Sequence, residues 1–405
     1  MKYTIVSLAL AGSAAIAGEA MLTVKSVPHT LAGCATPVAV PVDPSQNAGV
    51  WNSAGPIELV ESPAAGSAGG AALPAQFEAE AGESPRGALW FLLPTAESAE
   101  RRFRLRAATN PVPAALAFQA DERCGFYDLR EGALSVLRYN HGTVPVPDGI
   151  PTNYARGDYL MPVFGPHGEL LTDDYPKDHP HHRGVGWSWP VTRWGAEVRD
   201  LWAVSGVWAR PVRIRRLETG PVFALLEADN VWKWGDTNAI VREEVRLRAF
   251  RHDAVGRLVD IEVRLTALAE GVAIGGRPHG GYGGFGLRAQ PAKQRLITRF
   301  TDSPDANPRR SWLDYSGVFA GGAGASGLAI FEHPANPLYP SELKEYAELN
   351  YVMPAFPGER EVPLSREKPL VLRHRLWIHE GMATAEQLAA VWAAYSAPPR
   401  ITFLP

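Results

Sequence analysis

The segment 178–189, which reads DHPHHRGVGWSW, contains three of the chain's eleven histidines within four consecutive positions. Histidine exchanges a proton near neutral pH, or offers a neutral nitrogen to a metal ion. Packing alone rarely places three histidines side by side, so the segment is expected to line a functional site. The alternative is a solvated loop whose histidines bind its own backbone. The residues of interest here are His179, His181, His182, Arg183, Trp187 and Trp189.

The spacing of the histidines leaves two kinds of chemistry open. His181 and His182 are candidates for general acid and base. His179 and His181 would share one face of a strand, and could bind a divalent metal ion if a carboxylate joined them. Pro180 makes a loop or a strand edge the more natural setting. Three carboxylates lie close in sequence, at Asp173, Asp174 and Asp178.

A glycine-rich segment at 278–288, PHGGYGGFGLR, is the second unusual stretch. Its glycines permit sharp turns and close approach of backbone. Their spacing formally matches the dinucleotide fingerprint, but no βαβ unit surrounds it. A bulged strand that presents His279, Tyr282 and Arg288 at a cleft is therefore expected, with a plain glycine-rich connection as the alternative.

Two further segments, WLDYSG at 312–317 and EHPANP at 332–337, place polar groups at predicted strand ends. Asp314 and Glu332 are the candidate carboxylates for acid–base catalysis, with turn or capping roles as the alternative. We predict that the three histidines converge with Arg288 and at least one of these carboxylates in one cleft. The residues expected to contact a ligand are His179, Arg183, Trp187, Trp189, His279, Tyr282, Arg288, Trp312, His333 and Asn336.

Composition restricts the class of protein. The 405 residues carry a formal net charge of -3, which argues against a nucleic-acid binder because such proteins carry a basic excess. The 39 glycines and 35 prolines indicate many turns and short strands. Residues 1–17 have the pattern of a signal peptide, with cleavage after Ala17. No later segment reaches transmembrane length, so a periplasmic or secreted protein is expected.

The pattern of alternating residues predicts an all-β fold. A small β-sandwich is expected over 20–118, and a long series of antiparallel strands over 119–400. Polar and apolar residues alternate in 245–250 and 371–376, as in sheets with one face toward a core. One helix is predicted near the C-terminus, where Thr384 and Gln387 form a capping box.

Several of these motifs together resemble a bacterial family called PmoA-like, formerly a domain of unknown function. The resemblance covers most of residues 120–395. It implies a β-supersandwich similar to galactose mutarotases, in which a histidine and a carboxylate handle protons at a sugar. The matching segments are 159–162 (YLMP), 165–168 (GPHG), 178–184 (DHPHHRG), 283–288 (GGFGLR), 312–317 and 332–337.

An exported enzyme acting on a glycan or sugar, by hydrolysis, elimination or epimerisation, is the leading functional hypothesis. A glycan-binding module without catalysis is the first alternative, in which the same residues only hydrogen-bond a sugar. A metal-dependent oxidoreductase, which the family name suggests, is the second. The expected partner is a carbohydrate or other small molecule. The possible cofactor is a divalent metal at the histidine cluster.

Overall fold

The structure, a computed structural model, is almost entirely β, as the sequence predicted. The proposed signal segment 1–17 lies outside the residues that it describes. Those residues are 20–25, 31–43, 56–62, 72–80, 86–95, 100–108, 112–114, 116–300 and 311–404.

The chain divides into two compact units, the first comprising residues 1–114 and 397–405. Its strands form one antiparallel sheet in the order β2-β5-β4-β3-β6-β1-β27. The sequence placed residues up to 400 in the second domain, but the last strand pairs with β1 instead. The strands are β1 (Ala20–Lys25), β2 (Thr36–Val42), β3 (Ile57–Glu61), β4 (Ala72–Ala79), β5 (Gly87–Leu93), β6 (Glu100–Ala107) and β27 (Arg400–Leu404).

The second unit, residues 115–396, contains three antiparallel sheets. We call the first the short-strand sheet; its order is β23-β24-β19-β11-β10-β9-β8-β7. Its strands are β7 (Leu116–Asp121), β8 (Phe126–Glu131), β9 (Leu134–Asn140), β10 (Tyr159–Val163), β11 (Val185–Ser188), β19 (Gly284–Arg288), β23 (Glu342–Tyr346) and β24 (Tyr351–Ala355).

The second sheet of this unit, the long-strand sheet, has the order β14-β15-β16-β17-β26-β22-β21-β20. It contains β14 (Val207–Glu218), β15 (Phe223–Trp234), β16 (Asn238–Phe250), β17 (Gly256–Ala267), β20 (Lys293–Arg299), β21 (Trp312–Val318), β22 (Ser326–Glu332) and β26 (Leu370–Glu380). A small sheet contains β12 (Val191–Trp194), β13 (Glu197–Arg199), β18 (Val272–Gly275) and β25 (Glu361–Pro363).

The two eight-stranded sheets share one hydrophobic core. Successive side chains of a strand point to opposite faces, and this alternation decides which residues of the short-strand sheet reach solvent. In β11, Val185 and Trp187 are buried toward the core, while Gly186 and Ser188 line a cleft on the other face. We call this face the outer face of the short-strand sheet.

The predicted helix is α1 (Ala385–Ser396), and its capping box is present. The backbone N–H of Thr384 donates to the Gln387 side chain at 2.8 Å, and the Gln387 N–H donates to the Thr384 hydroxyl at 3.3 Å. Leu388, Val391 and Tyr395 are buried on one face of the helix. Within the described part of the chain, no helix is long and apolar enough to cross a membrane.

Candidate functional site

The three histidines lie on a loop that joins two antiparallel segments over the outer face. Asp174 and Arg183 form a β-bridge at the base of the loop. Its turns are closed by hydrogen bonds from the His179 N–H to the Pro176 carbonyl and from the His182 N–H to the His179 carbonyl, at 3.1 and 2.9 Å. Pro180 therefore occupies a turn, as its missing N–H favours.

Gly184 lets the chain pass close to the Leu160 backbone where the loop returns to β11. Its φ is +38°, and a Cβ there would lie 2.1 Å from the Leu160 carbonyl oxygen. A larger residue would have to displace backbone, so the motif requires glycine at this position.

Arg183 fastens this loop to the sheet. Its guanidinium forms an ion pair with Asp174 and donates a hydrogen bond to the Tyr159 hydroxyl. It also lies over the Tyr175 and Tyr159 rings, 3.5 and 4.4 Å from their centroids. With these partners the charge of Arg183 is balanced inside the protein, and its role is to hold the loop in place.

The imidazole rings are stacked on one another. The His179 and His182 rings are nearly parallel, with centroids 4.7 Å apart. His181 meets His182 edge-on at 4.6 Å and stacks on Tyr154 at 6.2 Å. The opposite neighbours of His182 are Tyr351, at 4.6 Å, and Trp202, at 5.6 Å.

Asp178, His179 and Arg288 form a hydrogen-bonded chain beside the His182 ring. The Asp178 Oδ2 lies 2.9 Å from the His179 Nδ1, and the Arg288 Nη2 donates to the Asp178 Oδ1 at 3.1 Å. Arg288 also lies 3.4 Å from the His182 Nδ1. A carboxylate that accepts from Nδ1–H leaves the lone pair on Nε2, the form that a general base needs.

The electrostatics of the cluster keep two imidazoles neutral. Burial, together with the nearby His179 and Arg288, lowers the pKa of His181 to about 4 and that of His182 to about 2. Partial burial opposes ionisation of Asp178, but hydrogen bonds with His179 and Arg288 outweigh it and lower the pKa of this carboxyl to about 2. At neutral pH the cluster therefore combines the Asp178 carboxylate with the neutral imidazoles of His181 and His182.

Beside the cluster is a narrow cleft, partly open to solvent, with room of about 20 Å³, close to the space of one water molecule. Tyr351 and Trp202 form its aromatic wall, with ring centroids 5.5 Å apart. Gly286 makes room for this wall, because a Cβ there would lie 2.3 Å from the Tyr351 hydroxyl. The lining residues are Arg156, Tyr159, His181, His182, Arg183, Gly186, Ser188, Trp202 and Tyr351.

Two buried acids lie on the core side of the strands that form the cleft floor. Glu243 on β16 accepts hydrogen bonds from the indole N–H groups of Trp187 and Trp232. Asp158, just before β10, accepts from the Tyr139 hydroxyl at 2.8 Å. Burial, the Asp158 charge and a hydrogen bond with Asp158 raise the pKa of Glu243 well above its usual range. Burial beside Asp158 therefore favours the protonated, neutral form of Glu243.

Asp314 and Glu332 do not join the histidine loop, which corrects the expected convergence. Asp314 on β21 has no exposed side-chain surface and pairs with His379 at 2.9 Å. Glu332 on β22 is also buried and accepts hydrogen bonds from Ser311 and Ser341. Asp314 lies within β21, whereas Glu332 is the last residue of β22, at a strand end as expected. Both side chains are buried and engaged by protein partners, so neither is available to the histidine loop.

Several residues expected to contact a ligand have other neighbours. Trp187 donates to Glu243 in the core, and Trp189 donates to the Phe356 carbonyl at 3.0 Å. Trp312 is buried against Phe300. These aromatic side chains therefore fill the β interior, where a tryptophan needs a partner for its N–H.

Of the other residues predicted to contact a ligand, two lie near the histidine cluster and three lie elsewhere. Tyr282 packs 5.5 Å from Trp202 and extends the aromatic wall, and Arg288 joins the histidines. His279 is exposed in a turn with a φ of +59°. His333 lies against Tyr395, and Asn336 exchanges hydrogen bonds with the backbone of Arg373.

Sequence reasoning missed Arg156, Asp158, Glu243 and Tyr351. Glu243 carried a readable signal, because it has the same strand parity as the apolar Val241 and Val245. A charged residue on the apolar face of a strand must find buried partners. The others lie in loops or on strands whose contacts depend on long-range pairing.

The proposed metal site finds no support in the geometry. His179 and His181 meet edge-on, with ring centroids 5.6 Å apart. Across the described ranges, no group of three or more His, Cys, Asp or Glu side chains is arranged to hold a metal ion.

Comparison with known proteins gives a family without an assigned function. Residues 127–393 match the family of unknown function DUF6807, so the chain belongs to it. This match covers the histidine loop, the cleft and the buried acid pair. No curated protein matches the chain.

Proposed function

We propose that this DUF6807 protein is an exported carbohydrate-active enzyme, whose outer-face cleft handles a sugar by histidine–carboxylate acid–base chemistry. The observation that carries the proposal is the Asp178–His179 pair. Its 2.9 Å contact leaves 44% and 38% of the two side chains exposed. A general base must be both oriented and reachable, and this pair meets both conditions.

Asp178 replaces Asp314 and Glu332 as the carboxylate of the mechanism. Held by Arg288, it fixes the His179 tautomer and stabilises the imidazolium that forms when His179 takes a proton, the role of a carboxylate in a catalytic dyad. A sugar hydroxyl or a C–H beside a carbonyl is the proton source. His181 and His182 stay neutral and can hydrogen-bond sugar hydroxyls in either direction.

The aromatic wall supports a sugar as the ligand. Tyr351, Trp202 and Tyr282 offer ring faces with polar tips, and such residues suit a ligand with apolar faces and polar edges. The relation to PmoA-like and galactose-mutarotase-like proteins also belongs to the proposal. The paired eight-stranded antiparallel sheets and the histidine-lined cleft support it.

Turnover of a panel of glycans and free sugars by the full chain tests this proposal. We expect His179→Ala and Asp178→Ala to lower turnover about 10²- to 10⁴-fold, the usual share of a general base, with little change in melting temperature. His181→Ala and His182→Ala should lower it as well. His167→Ala, at an exposed turn, is the matched control and should leave turnover unchanged.

A glycan-binding module without catalysis is the alternative that one observation favours. The His182 ring lies in contact with His179, His181, Trp202 and Tyr351, as in a rigid binding surface. If sugars bind, if none is turned over, and if His182→Ala weakens binding, this alternative replaces the enzyme. Equal loss of stability and activity in all of these variants would contradict both functions.

A further inference from the structure

Three buried arginines surround the cleft, and they differ in how their charges are balanced. Arg183 pairs with Asp174, and Arg288 pairs with Asp178 at 3.1 Å and with Asp173 at 3.6 Å. Arg156 lines the same cleft. It forms no ion pair with any residue that the structure describes, and its single hydrogen bond runs from Nε to the Gly157 carbonyl at 3.4 Å.

Arg156 is only 5% exposed, so a small part of its side chain reaches water. Burial lowers its pKa, yet a guanidinium stays protonated in proteins. Asp158 attracts this charge without a direct hydrogen bond to it; the Asp158 Oδ1 accepts from Tyr139 and Asn230, and its buried Oδ2 has no hydrogen-bond partner. The two Nη atoms of Arg156 thus have no acceptor in the described part of the chain.

None of the groups that line the cleft forms an ion pair with Arg156 in the described part of the chain. His181 and His182 are neutral at physiological pH and contribute donors and acceptors only. Asp174 and Asp178 are already engaged by Arg183 and Arg288. A buried charge without a hydrogen-bonded partner is unfavourable. The Arg156 guanidinium therefore favours a ligand that supplies a negatively charged oxygen as acceptor.

We infer that Arg156 binds an oxyanion of the ligand, and that the ligand of the proposed sugar cleft is therefore an acidic sugar carrying a carboxylate or a sulfate. The inference rests on the proposed function and narrows its substrate class. The planar guanidinium presents paired N–H donors that match the two oxygens of such a group. Its position beside His181 and the Tyr351 wall would fix the acidic group while the sugar ring contacts the aromatic side chains.

Calorimetric titration of the full chain with glucuronate, glucose 6-sulfate and glucose tests the inference. We expect one acidic sugar to bind roughly 10- to 100-fold more tightly than glucose, the range for hydrogen bonds to a charged group. This preference should decrease with added salt. A preference for glucuronate identifies a carboxylate, and a preference for the sulfate ester identifies a sulfate.

Arg156→Gln should abolish the preference, so that the acidic sugars bind this variant no more tightly than glucose binds it. Arg156→Lys should retain part of it, since the charge remains and the paired donors are lost. Arg193→Gln is the matched control, because Arg193 pairs with Glu361 on the small sheet. The comparison of sugars on the unaltered chain needs no variant, so a folding defect in Arg156→Gln would not prevent the test.

The possible results distinguish a failure of the oxyanion inference from a failure of the proposed sugar function. If glucose binds as tightly as both acidic sugars, the inference is overturned and the sugar proposal stands. If no sugar binds, the sugar proposal is overturned, and acetate and sulfate then test Arg156 alone. If acetate or sulfate raises the melting temperature of the unaltered chain but not that of Arg156→Gln, Arg156 still binds an oxyanion. If neither anion does so, the oxyanion site is overturned as well.

Discussion

Two histidine–aspartate pairs in this protein have the same separation and opposite surroundings. Asp178 and His179 lie 2.9 Å apart on the histidine loop, with 44% and 38% of their side chains exposed. Asp314 and His379 also lie 2.9 Å apart, between β21 and β26, with no exposed side-chain surface. The two pairs contain the same chemical groups, and only the first can meet a ligand.

The comparison shows that a hydrogen-bonded pair becomes a candidate site through access rather than through its own geometry. The buried pair is fully satisfied: the Ser316 hydroxyl donates to Asp314, and the second nitrogen of His379 lies 3.2 Å from the Glu380 carbonyl. The exposed pair leaves the His179 Nε2 without a partner among the contacts described above. Its stabilising bonds hold the ring without occupying the reactive nitrogen.

The largest expected effect comes from breaking the buried pair. Asp314→Ala should lower the free energy of unfolding by about 3–5 kcal/mol, because it leaves His379 buried without its partner. Asp178→Ala should lower it by less than about 1 kcal/mol, since exposed pairs contribute little. Urea denaturation of both variants at pH 7 measures the difference. Equal losses would show that access does not separate the two pairs.

Most of the fold could be predicted from the sequence because strand alternation is a local signal. The alternating segment 245–250 lies in β16, and the capping box at Thr384 starts α1. The sequence did not predict that the last strand, β27, pairs with β1 in the first unit, because nothing in residues 400–404 indicates which sheet they join. Pairing between distant segments depends on the whole chain.

The candidate site could be predicted only in part. The clustered histidines identified the loop, and Arg288 identified the strand beside it. Asp314 was assigned to the site because a polar residue was expected at a strand end, whereas it is fully buried within β21 and pairs with His379. Arg156 and Tyr351 come to the cleft from segments about two hundred residues apart in the chain, which no local pattern reveals.

The loss of stability that we expect at His182 in mild acid is intermediate in size between the effects at Asp314 and His374. The pKa of folded His182 is about 2, below the unfolded value near 6.5. As the pH falls below 6.5, the unfolded chain takes up a proton that the folded chain refuses, so stability decreases. Between pH 7 and pH 5 this histidine should remove about 2 kcal/mol. Asp178, whose folded pKa is also about 2, has its effect only below about pH 4.

Replacing His182 by Gln should make urea denaturation midpoints less dependent on pH over this range. His167→Ala, at the exposed turn, is the control and should leave the dependence unchanged. An unaltered dependence in His182→Gln would mean that the ring takes up its proton in the folded protein, and would contradict a neutral His182 in the cleft.

The smallest effect is expected at His374, a third kind of histidine that is buried without an ion pair. Its ring stacks on Phe285 at 4.2 Å, and its buried Nδ1 has no hydrogen-bond partner. Burial lowers its pKa to about 3, so the ring packs as a neutral aromatic side chain on β26. His374→Leu, of similar volume, removes an unsatisfied polar atom and keeps most apolar contacts. The free energy of unfolding at pH 7 should therefore change by less than about 1 kcal/mol. A loss as large as that of Asp314→Ala would show that burial alone, rather than the broken ion pair, makes a core histidine indispensable.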